Sequence, residues 1–553
     1  MREDTAMAPW RILAVSAAYS LALAACGPPE PPRQPPAPEP ALPAGADLPV
    51  AETVADVDTG RILAALERPD EWLTHGGTYD EARHAPLQKI NRDTAARLGV
   101  AWTYDFGAVR GGDSTPLIVD GTMYVTSAGS VVHALDAQTG AEIWVHRPAL
   151  DRAARQVACC AAVNRGAAVY GGRVYVGLVD GRLQALDAKT GALVWSTVTV
   201  DQSKPYTITG APRVVDGRVL IGNGGAGPGL RGYLSAYDAG TGKRLWRFYT
   251  APDLGGGAVS DALVFDPVND QVIFGVGPGA RDPAGPDPGL GGRGGDGRFS
   301  SSIVAVDVET GAYHWHVQTG PGDAAGLGAT QSITLAQMPL GADGALRRVV
   351  VQAPEDGAVY VVDAATGELI SNDAIGAAAA APDAAAGEGD GETALAVAPA
   401  RAWHPMAFNP ELGLAYIPML DGDLVAWDVV ARQVRWRVAA GAGGAGGALS
   451  TGGGLVFQGQ PSGAFTAYDA ATGEDLWRYD LKSGGAAGPI SYEIDGDQCI
   501  TIVTGLVEPA AIDGEGDTAP LPTGKVVTFK LGGNEIIPGP GRGLGLSKGE
   551  VLP

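Results

Sequence analysis

A repeated pairing of aspartate with tryptophan constrains the fold of this chain more than any other feature. Six times in the 553 residues an aspartate is followed eight residues later by a tryptophan, and five of these copies have a Thr-Gly pair between the two. The pairs are Asp136/Trp144, Asp187/Trp195, Asp238/Trp246, Asp307/Trp315, Asp428/Trp436 and Asp469/Trp477. Two partial copies, one at Asp363 and one that ends in Trp102, bring the number of units to about eight. The chain is therefore predicted to repeat one supersecondary unit.

Each unit is predicted to contain a β-hairpin. An apolar run such as His133-Ala-Leu-Asp136 leads into the turn Ala-Gln-Thr139-Gly140, and a second run ends in the tryptophan. Glycine adopts the positive φ that the turn needs, and aspartate or threonine bonds the turn backbone. Gly-containing turns upstream of most units predict a further hairpin, so that each unit has four strands.

Four-stranded units repeated radially predict an all-β, eight-bladed β-propeller. One blade cannot bury both of its faces, so we expect the recurring tryptophan to fill the gap between neighbouring blades. The alternative fold is a β-sandwich with unrelated tryptophans. The 82 glycines and 40 prolines suit a protein dense in turns, and the net charge of −23 argues against a nucleic-acid partner.

Residues 1–25 are predicted to be a lipoprotein signal peptide. Arg11 precedes an apolar run that is shorter than a typical membrane span, and the run ends in Leu23-Ala-Ala-Cys26. Cleavage of such a signal leaves Cys26 as a lipidated N-terminal residue. We therefore expect an exported protein, anchored by lipid to a bacterial membrane on its periplasmic side. The alternative is an uncleaved anchor helix.

The mature chain divides by composition into three parts. Residues 26–47 are a Pro-rich, extended linker, residues 48–535 form the propeller, and residues 536–553 are a Gly/Pro-rich tail. Within the propeller, residues 373–400 are an Ala/Gly/Glu-rich run that is predicted to be a loose loop over one face.

The remaining cysteines are the adjacent pair Cys159 and Cys160 and the isolated Cys499. Export makes a disulfide between the adjacent pair feasible, although such a ring is strained and an accidental pairing of the two residues stays an alternative. Cys499 lies in a strand pattern and is predicted to be an inert core thiol. The sequence contains no Cys-x-x-Cys-His, which predicts that it carries no c-type haem.

Four motifs resemble one family, the pyrroloquinoline quinone (PQQ) dependent alcohol dehydrogenases, which are eight-bladed propellers. They are Cys159-Cys160-Ala-Ala-Val-Asn164-Arg165-Gly, Tyr206-Thr-Ile-Thr209-Gly-Ala-Pro-Arg, Gly222-Asn-Gly-Gly-Ala226 and Trp403-His-Pro-Met-Ala-Phe-Asn-Pro. The resemblance extends from about Trp72 to Phe529-Lys-Leu-Gly-Gly, nearly the whole mature chain. In this family the quinone lies on the propeller axis between a vicinal disulfide and a tryptophan, beside a calcium ion and an aspartate base.

Several cofactor-binding positions of the family are kept. The resemblance implies that Cys159 and Cys160 form the disulfide face, that Arg165 pairs with the quinone or its carboxylates, and that Thr209 bonds one carboxylate. It also places Gly225 and Ala226 at the cofactor. Asp113 stands where the family usually has glutamate, so its reach is shorter. Considered without the cysteine pair, Arg165 and Thr209 would be interpreted as residues that pack between blades and bond a turn.

Other positions depart from the family. The expected base falls on Gly326, and the expected calcium ligands fall on Gly227, Pro278 and Gly326. The stacking tryptophan falls on Ser260, and the tryptophan beside the base on Ala325. A lysine that touches the quinone falls on Glu355, and an asparagine on Ala402. Calcium needs anionic oxygen, so we expect the metal site to be lost. The acids that could compensate, Asp261, Asp323, Asp282 and Asp296, are interpreted as solvated loop charges.

The sequence thus supports two principal hypotheses. The first is a propeller lipoprotein with a degenerate PQQ/calcium site that is weakly active or non-catalytic and binds a ligand or a cell-envelope partner. The second is an active PQQ-dependent oxidoreductase that acts on an alcohol or aldehyde. An outer-membrane assembly scaffold is a third reading, but it leaves the cysteine pair unexplained.

Overall fold

The computed structural model describes the chain from residue 54 to residue 535, apart from eleven internal gaps. The described residues are 54–107, 112–150, 163–225, 230–251, 256–279, 299–319, 327–341, 344–375, 404–439, 446–485, 487–505 and 524–535. The predicted signal peptide, Cys26, the linker and the C-terminal tail lie outside these ranges, as does most of the predicted loop 373–400.

The chain enters the fold through short elements. These are the one-turn helix α1 (Thr59–Leu63), the 3₁₀ turns Ala65–Glu67 and Ala95–Arg97, and the strands β1 (His84–Ala85) and β2 (Leu98–Asp105). Asp58 caps α1, since its carboxylate accepts a hydrogen bond from the Arg61 amide. No helix among the described residues is long and apolar enough to cross a bilayer.

The first four blades follow in chain order. Blade 1 contains β3 (Leu117–Val119), β4 (Thr122–Ser127), the 3₁₀ turn Ala128–Ser130, β5 (Val131–Asp136) and β6 (Glu142–His146). Blade 2 contains β7 (Ala168–Tyr170), β8 (Arg173–Gly177), β9 (Arg182–Asp187) and β10 (Leu193–Val198). Blade 3 contains β11 (Arg213–Val215), β12 (Arg218–Gly222), β13 (Tyr233–Asp238) and β14 (Arg244–Tyr249). Blade 4 contains β15 (Leu263–Asp266), β16 (Gln271–Gly275), β17 (Ser302–Asp307) and β18 (Tyr313–Gln318).

The remaining blades complete the ring. Blade 5 contains β19 (Ile333–Met338), β20 (Arg347–Gln352), β21 (Ala358–Asp363) and β22 (Leu369–Ala374). Blade 6 contains β23 (Ala407–Asn409), β24 (Leu414–Pro418), β25 (Leu424–Asp428) and β26 (Gln433–Val438). Blade 7 contains β27 (Ala448–Thr451), β28 (Leu455–Gly459), β29 (Ala464–Asp469) and β30 (Asp475–Asp480). Blade 8 contains β31 (Ile490–Ile494), β32 (Asp497–Thr504) and β33 (Lys525–Leu531).

The described residues thus form eight sheets, each with four antiparallel strands, and the predicted eight-bladed propeller is confirmed. Blade 7 has a fifth strand in addition, because the short β1 pairs in parallel with β27. Blade 8 takes its fourth strand from the start of the chain, because β2 pairs with β33 from Leu98↔Leu531 to Asp105↔Lys525. This pairing joins an early and a late strand of the described chain in one blade and so closes the ring.

In the part of the chain that the structure describes, six tryptophans dock their blade onto the next through an indole hydrogen bond, whereas blade 5 has Ser371 at that position. The indole N–H of Trp144 donates to the carbonyl of Ala188 at 3.0 Å, and that residue follows the aspartate of the next repeat. Trp246 does the same to Val308 at 3.1 Å. The glycine of the receiving turn lies against the ring: a Cβ on Gly311 would stand 2.6 Å from Trp246. The tryptophans therefore fill the gaps between blades, as predicted.

The turn chemistry of the repeat is also as predicted. Asp136 Oδ1 accepts hydrogen bonds from the Thr139 amide at 2.8 Å and from the Thr139 hydroxyl at 2.7 Å. Gly140 takes a φ of 73°. In an antiparallel meander these third-to-fourth-strand turns all lie at one end of the ring. The loops that lead into each innermost strand therefore lie at the other end.

An axial segment, residues 72–84, runs along the innermost strands. Its backbone and side chains bond seven blades or the loops that enter them, at Ile118, Val214, Phe265, Leu335, Phe408, Ser450 and Pro489. The eighth, blade 2, lies next to His75, whose ring is 3.9 Å from where a Cβ on Gly166 would stand. This segment fills the centre of the ring just below the loops that enter the innermost strands.

Candidate active site

The predicted cofactor-binding residues that the structure describes come together at one end of the ring. Asp113, Arg165 and Thr209 stand in the loops that lead into the innermost strands of blades 1, 2 and 3. Backbone hydrogen bonds join these loops, from the Thr115 amide to the Arg165 carbonyl at 3.0 Å and from the Arg165 amide to the Thr209 carbonyl at 2.9 Å. The fold therefore fixes the three side chains relative to one another.

Arg165 and Thr209 form a direct pair. Arg165 Nη1 donates to Thr209 Oγ1 at 2.8 Å, and Thr209 is only 9% exposed. The guanidinium is the side-chain group whose geometry best suits a carboxylate. The hydrogen bond to Thr209 fixes the position of this guanidinium at the axis.

Asp113 is an unusual carboxylate. It is 6% exposed, and neither of its oxygens has a hydrogen-bond partner among the residues described. Burial raises its pKa to about 6, a shift that the charge of Arg165 opposes and the charge of Asp261 increases. A buried carboxylate whose two oxygens accept no hydrogen bond from the described residues is a candidate position for a ligand or a proton.

A buried charge network lies against these residues, and the sequence reasoning missed it. Arg213 donates to both oxygens of Glu81, from Nε at 2.7 Å and from Nη2 at 3.0 Å. His75 lies between two carboxylates, with Nδ1 3.6 Å from Glu81 and Nε2 3.6 Å from Asp261. Asp261 also accepts from the Ala211 amide at 3.1 Å. The network ties the axial segment to blades 3 and 4.

The interpretation of Asp261 as a solvated loop charge is wrong. Its side chain is 16% exposed and lies 3.8 Å from Arg213 Nη1. Burial alone would raise its pKa, but His75, Arg213 and Arg165 together hold that pKa below the usual value. The Asp261 carboxylate is therefore ionised and belongs to this charge network. The only sequence signal was its position next to Ser260.

Arg83, in the axial segment, makes hydrogen bonds to several blades. Its guanidinium donates to the carbonyls of His75, Ala448 and Pro489 at 2.7, 3.1 and 2.8 Å, and to Thr115 Oγ1 at 3.2 Å. Burial lowers its pKa to about 10. One side chain thus joins the axial segment to blades 7, 8 and 1.

The described part of the expected calcium site does not suit calcium. Pro278 has no side-chain oxygen, and its carbonyl accepts from the Gly257 amide at 2.8 Å. No group of three or more acidic, histidine or cysteine side chains in the described ranges could hold a metal. Glycine at positions 227 and 326 supplies no side-chain ligand either. No step through calcium is derived.

Glu355 is turned toward the protein. Its carboxylate accepts from the Gly328 amide at 2.8 Å and from Gln331 Nε2 at 3.0 Å. It therefore braces the loop before blade 5 and leaves a negative charge where the family has a lysine.

Position 225 requires glycine for a steric reason. It has a φ of 99°, and a Cβ there would stand 2.6 Å from the Pro205 carbonyl. The half-buried Ser260 brings its backbone carbonyl against Gly210, where a Cβ would stand 1.9 Å away. Both positions allow two loops to approach closely.

Other predicted site positions lie outside the described residues: Cys159, Cys160, Ala226, Gly227, Asp282, Asp296, Asp323, Ala325, Gly326 and Ala402. The disulfide stays a prediction. Cys499 is a buried free thiol whose burial raises its pKa to about 12, in keeping with an inert core thiol.

The structure thus combines an eight-bladed propeller with a cluster of charged side chains at its axis. Residues 72–374 and 422–500 match the family described as PQQ: glucose/ethanol/alcohol dehydrogenase, beta-propeller domain. The quinohemoprotein alcohol dehydrogenase ADH-IIG of Pseudomonas putida is 40% identical over 89% of this chain and 80% of its own length. The chain therefore belongs to the PQQ-dependent alcohol dehydrogenase family.

Solved structures agree with this assignment. The structure of ADH-IIG from Pseudomonas putida superposes with a TM-score of 0.79 at 39% identity, over 89% of this chain and 84% of that one. The quinohemoprotein alcohol dehydrogenase of Comamonas testosteroni gives a TM-score of 0.78 at 34% identity, over 89% and 85%. BamB from Moraxella catarrhalis, at 14% identity over 80% and 100% and a TM-score of 0.51, shares the fold alone.

Proposed function

We propose that this protein binds PQQ in the axial pocket and uses it to oxidise an alcohol or an aldehyde. The observation that carries the proposal is the Arg165–Thr209 pair, which presents a fixed guanidinium beside the buried Asp113. Relatives that are 35–40% identical over most of the chain and are named alcohol dehydrogenases support turnover.

Each described side chain has a role in this proposal. PQQ, when bound, supplies the group that accepts hydride from the substrate. Arg165 binds a carboxylate of the ligand, and Thr209 orients the guanidinium. The floor formed by Asp261, His75 and Arg213 keeps bulk water from that end of the pocket and fixes the charge below it.

A second candidate function is binding of the quinone without turnover. It is favoured by Pro278, which offers no metal-binding side chain, and by Glu355, whose carboxylate bonds Gly328 and Gln331. In that case the protein is a ligand-binding or partner-binding member of an enzyme family.

The test is a titration of the purified full-length protein with PQQ, with and without calcium, followed by quinone absorbance and thermal unfolding. We expect saturable binding and a melting temperature that rises with ligand concentration. Arg165→Ala should weaken binding by at least tenfold, and the exposed Arg435→Ala should not. If wild-type protein shows no saturable binding, the proposal is wrong.

Turnover is measured in the same preparation. PQQ-loaded protein that reduces an artificial electron acceptor with alcohols or aldehydes supports the oxidoreductase. Loaded protein that shows no turnover with any of them favours the second candidate. The relatives from Pseudomonas putida and Comamonas testosteroni are quinohemoproteins by name, so the haem content of this protein should be measured too. That this chain carries no c-type haem stays a prediction from its lack of Cys-x-x-Cys-His.

We further propose that the protein is held by lipid on Cys26 at the periplasmic side of a bacterial membrane. The motif Leu23-Ala-Ala-Cys26 and the Pro-rich residues 26–47 support this. Cys26→Ala should release the protein from membranes on fractionation and abolish incorporation of labelled fatty acid.

A further inference from the structure

The starting observation is the state of the Asp113 carboxylate. Asp113 is only 6% exposed, and neither oxygen of its carboxylate accepts a hydrogen bond from any residue that the structure describes. Buried carboxylates are normally satisfied by donors, because an unmet acceptor in the interior is costly. Two empty acceptors on one buried group therefore indicate a place where a ligand or a proton completes the bonding.

The charges around Asp113 come from several elements. Arg165, before β7, attracts it, and Asp261, before β15, repels it. Asp261 is itself compensated by His75 of the axial segment and by Arg213 of β11. Farther from Asp113, Glu81 forms an ion pair with Arg213, and Arg83 donates to Thr115. Lys525 of β33 forms an ion pair with Asp105 of β2.

Arg165 is the cation whose charge favours the ionised form of Asp113. An anion that binds the guanidinium of Arg165 neutralises this favourable field and adds a negative charge of its own. Both effects favour the neutral form of Asp113. The neutral carboxylic acid has an O–H group that donates to an oxygen of the same anion.

We propose that binding of a polycarboxylate ligand at Arg165 is coupled to protonation of Asp113, so that the pocket takes up one proton from solvent with the ligand. The identity of the ligand as PQQ, a tricarboxylate, rests on the proposed function. The step involves no redox change: a solvent proton forms an O–H bond on Asp113, and nothing leaves except water from the pocket.

The sign of the pH dependence follows from linkage. The empty pocket releases its Asp113 proton near pH 6, and the loaded pocket keeps that proton to a higher pH. Between these two values the loaded state holds one proton more. The affinity therefore falls as the pH rises, by roughly tenfold for each pH unit in that window.

The experiment measures the Kd of PQQ at pH 5.5, 6.5, 7.5 and 8.5 for the full-length wild type, Asp113→Asn and the exposed control Asp201→Asn. Calorimetry in two buffers of different ionisation enthalpy measures proton uptake at pH 7.5. We expect wild type and Asp201→Asn to weaken by tenfold or more from pH 6.5 to 8.5 and to take up close to one proton. Asp113→Asn should bind with little pH dependence and take up none.

The outcomes separate the two proposals. Equal pH slopes for wild type and Asp113→Asn, or uptake near zero in wild type, overturn the proton coupling and leave quinone binding intact. If wild type does not bind PQQ, the proposed function fails, and citrate is used as a plain tricarboxylate probe in the same pH series. A citrate affinity with the expected slope, lost in Asp113→Asn, then supports the coupling; a flat response or no binding overturns it.

Discussion

Two buried charged side chains at the axis, Arg83 and Asp113, are stabilised in opposite ways. Arg83 donates hydrogen bonds to three carbonyls and a hydroxyl, so polar groups of the protein replace water around its charge. Asp113 has no hydrogen-bond donor among the described residues, and Arg165 is its favourable charge. Structural charges are normally satisfied as Arg83 is, whereas a group such as Asp113 is a mark of a ligand site.

The pKa of Asp113 predicts a pH-dependent stability for the ligand-free protein. Its folded value of about 6 lies above the ordinary 3.8, so between these values the folded state holds a proton that the unfolded state has released. The free energy of unfolding therefore falls as the pH rises from 4 to 6, by about 2–3 kcal/mol for this group. Asp113→Asn should remove that component.

The measurement is urea unfolding of both proteins at pH 4.5 and pH 7.5. Other titrating groups are common to the two proteins, so their difference isolates position 113. The substitution should be more favourable at pH 7.5 than at pH 4.5 by about 2 kcal/mol. An identical difference at both pH values would contradict the raised pKa.

At the scale of elements, the joint between blades is a contact between a tryptophan and a turn. Trp246 of β14 donates to the Val308 carbonyl and lies against Gly311, which has a φ of 71°. Each turn thus serves its own hairpin through aspartate and threonine and serves the preceding blade through its glycine. This double use explains why the Thr-Gly pair recurs with the tryptophan.

Gly311→Ala tests this joint against a matched control, Gly217→Ala. Both glycines have a φ of 71°, but a Cβ on Gly217 meets no atom within 4 Å, whereas one on Gly311 would stand 2.6 Å from Trp246. Both substitutions should cost about 1 kcal/mol for the left-handed backbone. Gly311→Ala should cost a further 1–3 kcal/mol, roughly, for overpacking.

Chemical denaturation of the two variants gives the comparison. The change in tryptophan fluorescence on unfolding reports directly on the contact between the tryptophan and the turn. Equal losses of stability in the two variants would mean that the tryptophan does not limit the approach of the blades.

At the scale of the whole molecule, the ring is closed twice. In the outer part of blade 8, β2 pairs with β33 and so links an early and a late part of the described chain. At the centre, residues 72–84 bond blades that are far apart along the sequence. The same segment contributes His75 and Glu81 to the buried charge network, so the central contacts of the ring and the candidate site share residues.

Arg83→Met tests the central closure. The substitution leaves the carbonyls of His75, Ala448 and Pro489 without this donor, and we expect a loss on the order of 3–5 kcal/mol. Hydrogen exchange should then lose protection first at β27 and β31, which Arg83 holds. Arg435→Met, an exposed control, should change neither quantity; a local effect confined to residues 82–84 would argue against a central role.

The sequence alone determined the repeat, the turn chemistry, the docking role of tryptophan and the family, because each is carried by residues close together in the chain. It also predicted Arg165, Thr209 and Asp113 as cofactor-binding residues, and the structure brings the loops that carry them together. Only the tertiary structure decided that Asp261 is paired, that residues 72–84 bond blades around the whole ring and that β2 completes blade 8. Those contacts join residues that are far apart in the sequence, for example 48 positions for Arg213 and Asp261 and 420 positions for Asp105 and Lys525. A charge pair formed across a ring axis leaves no spacing in the sequence by which to predict it.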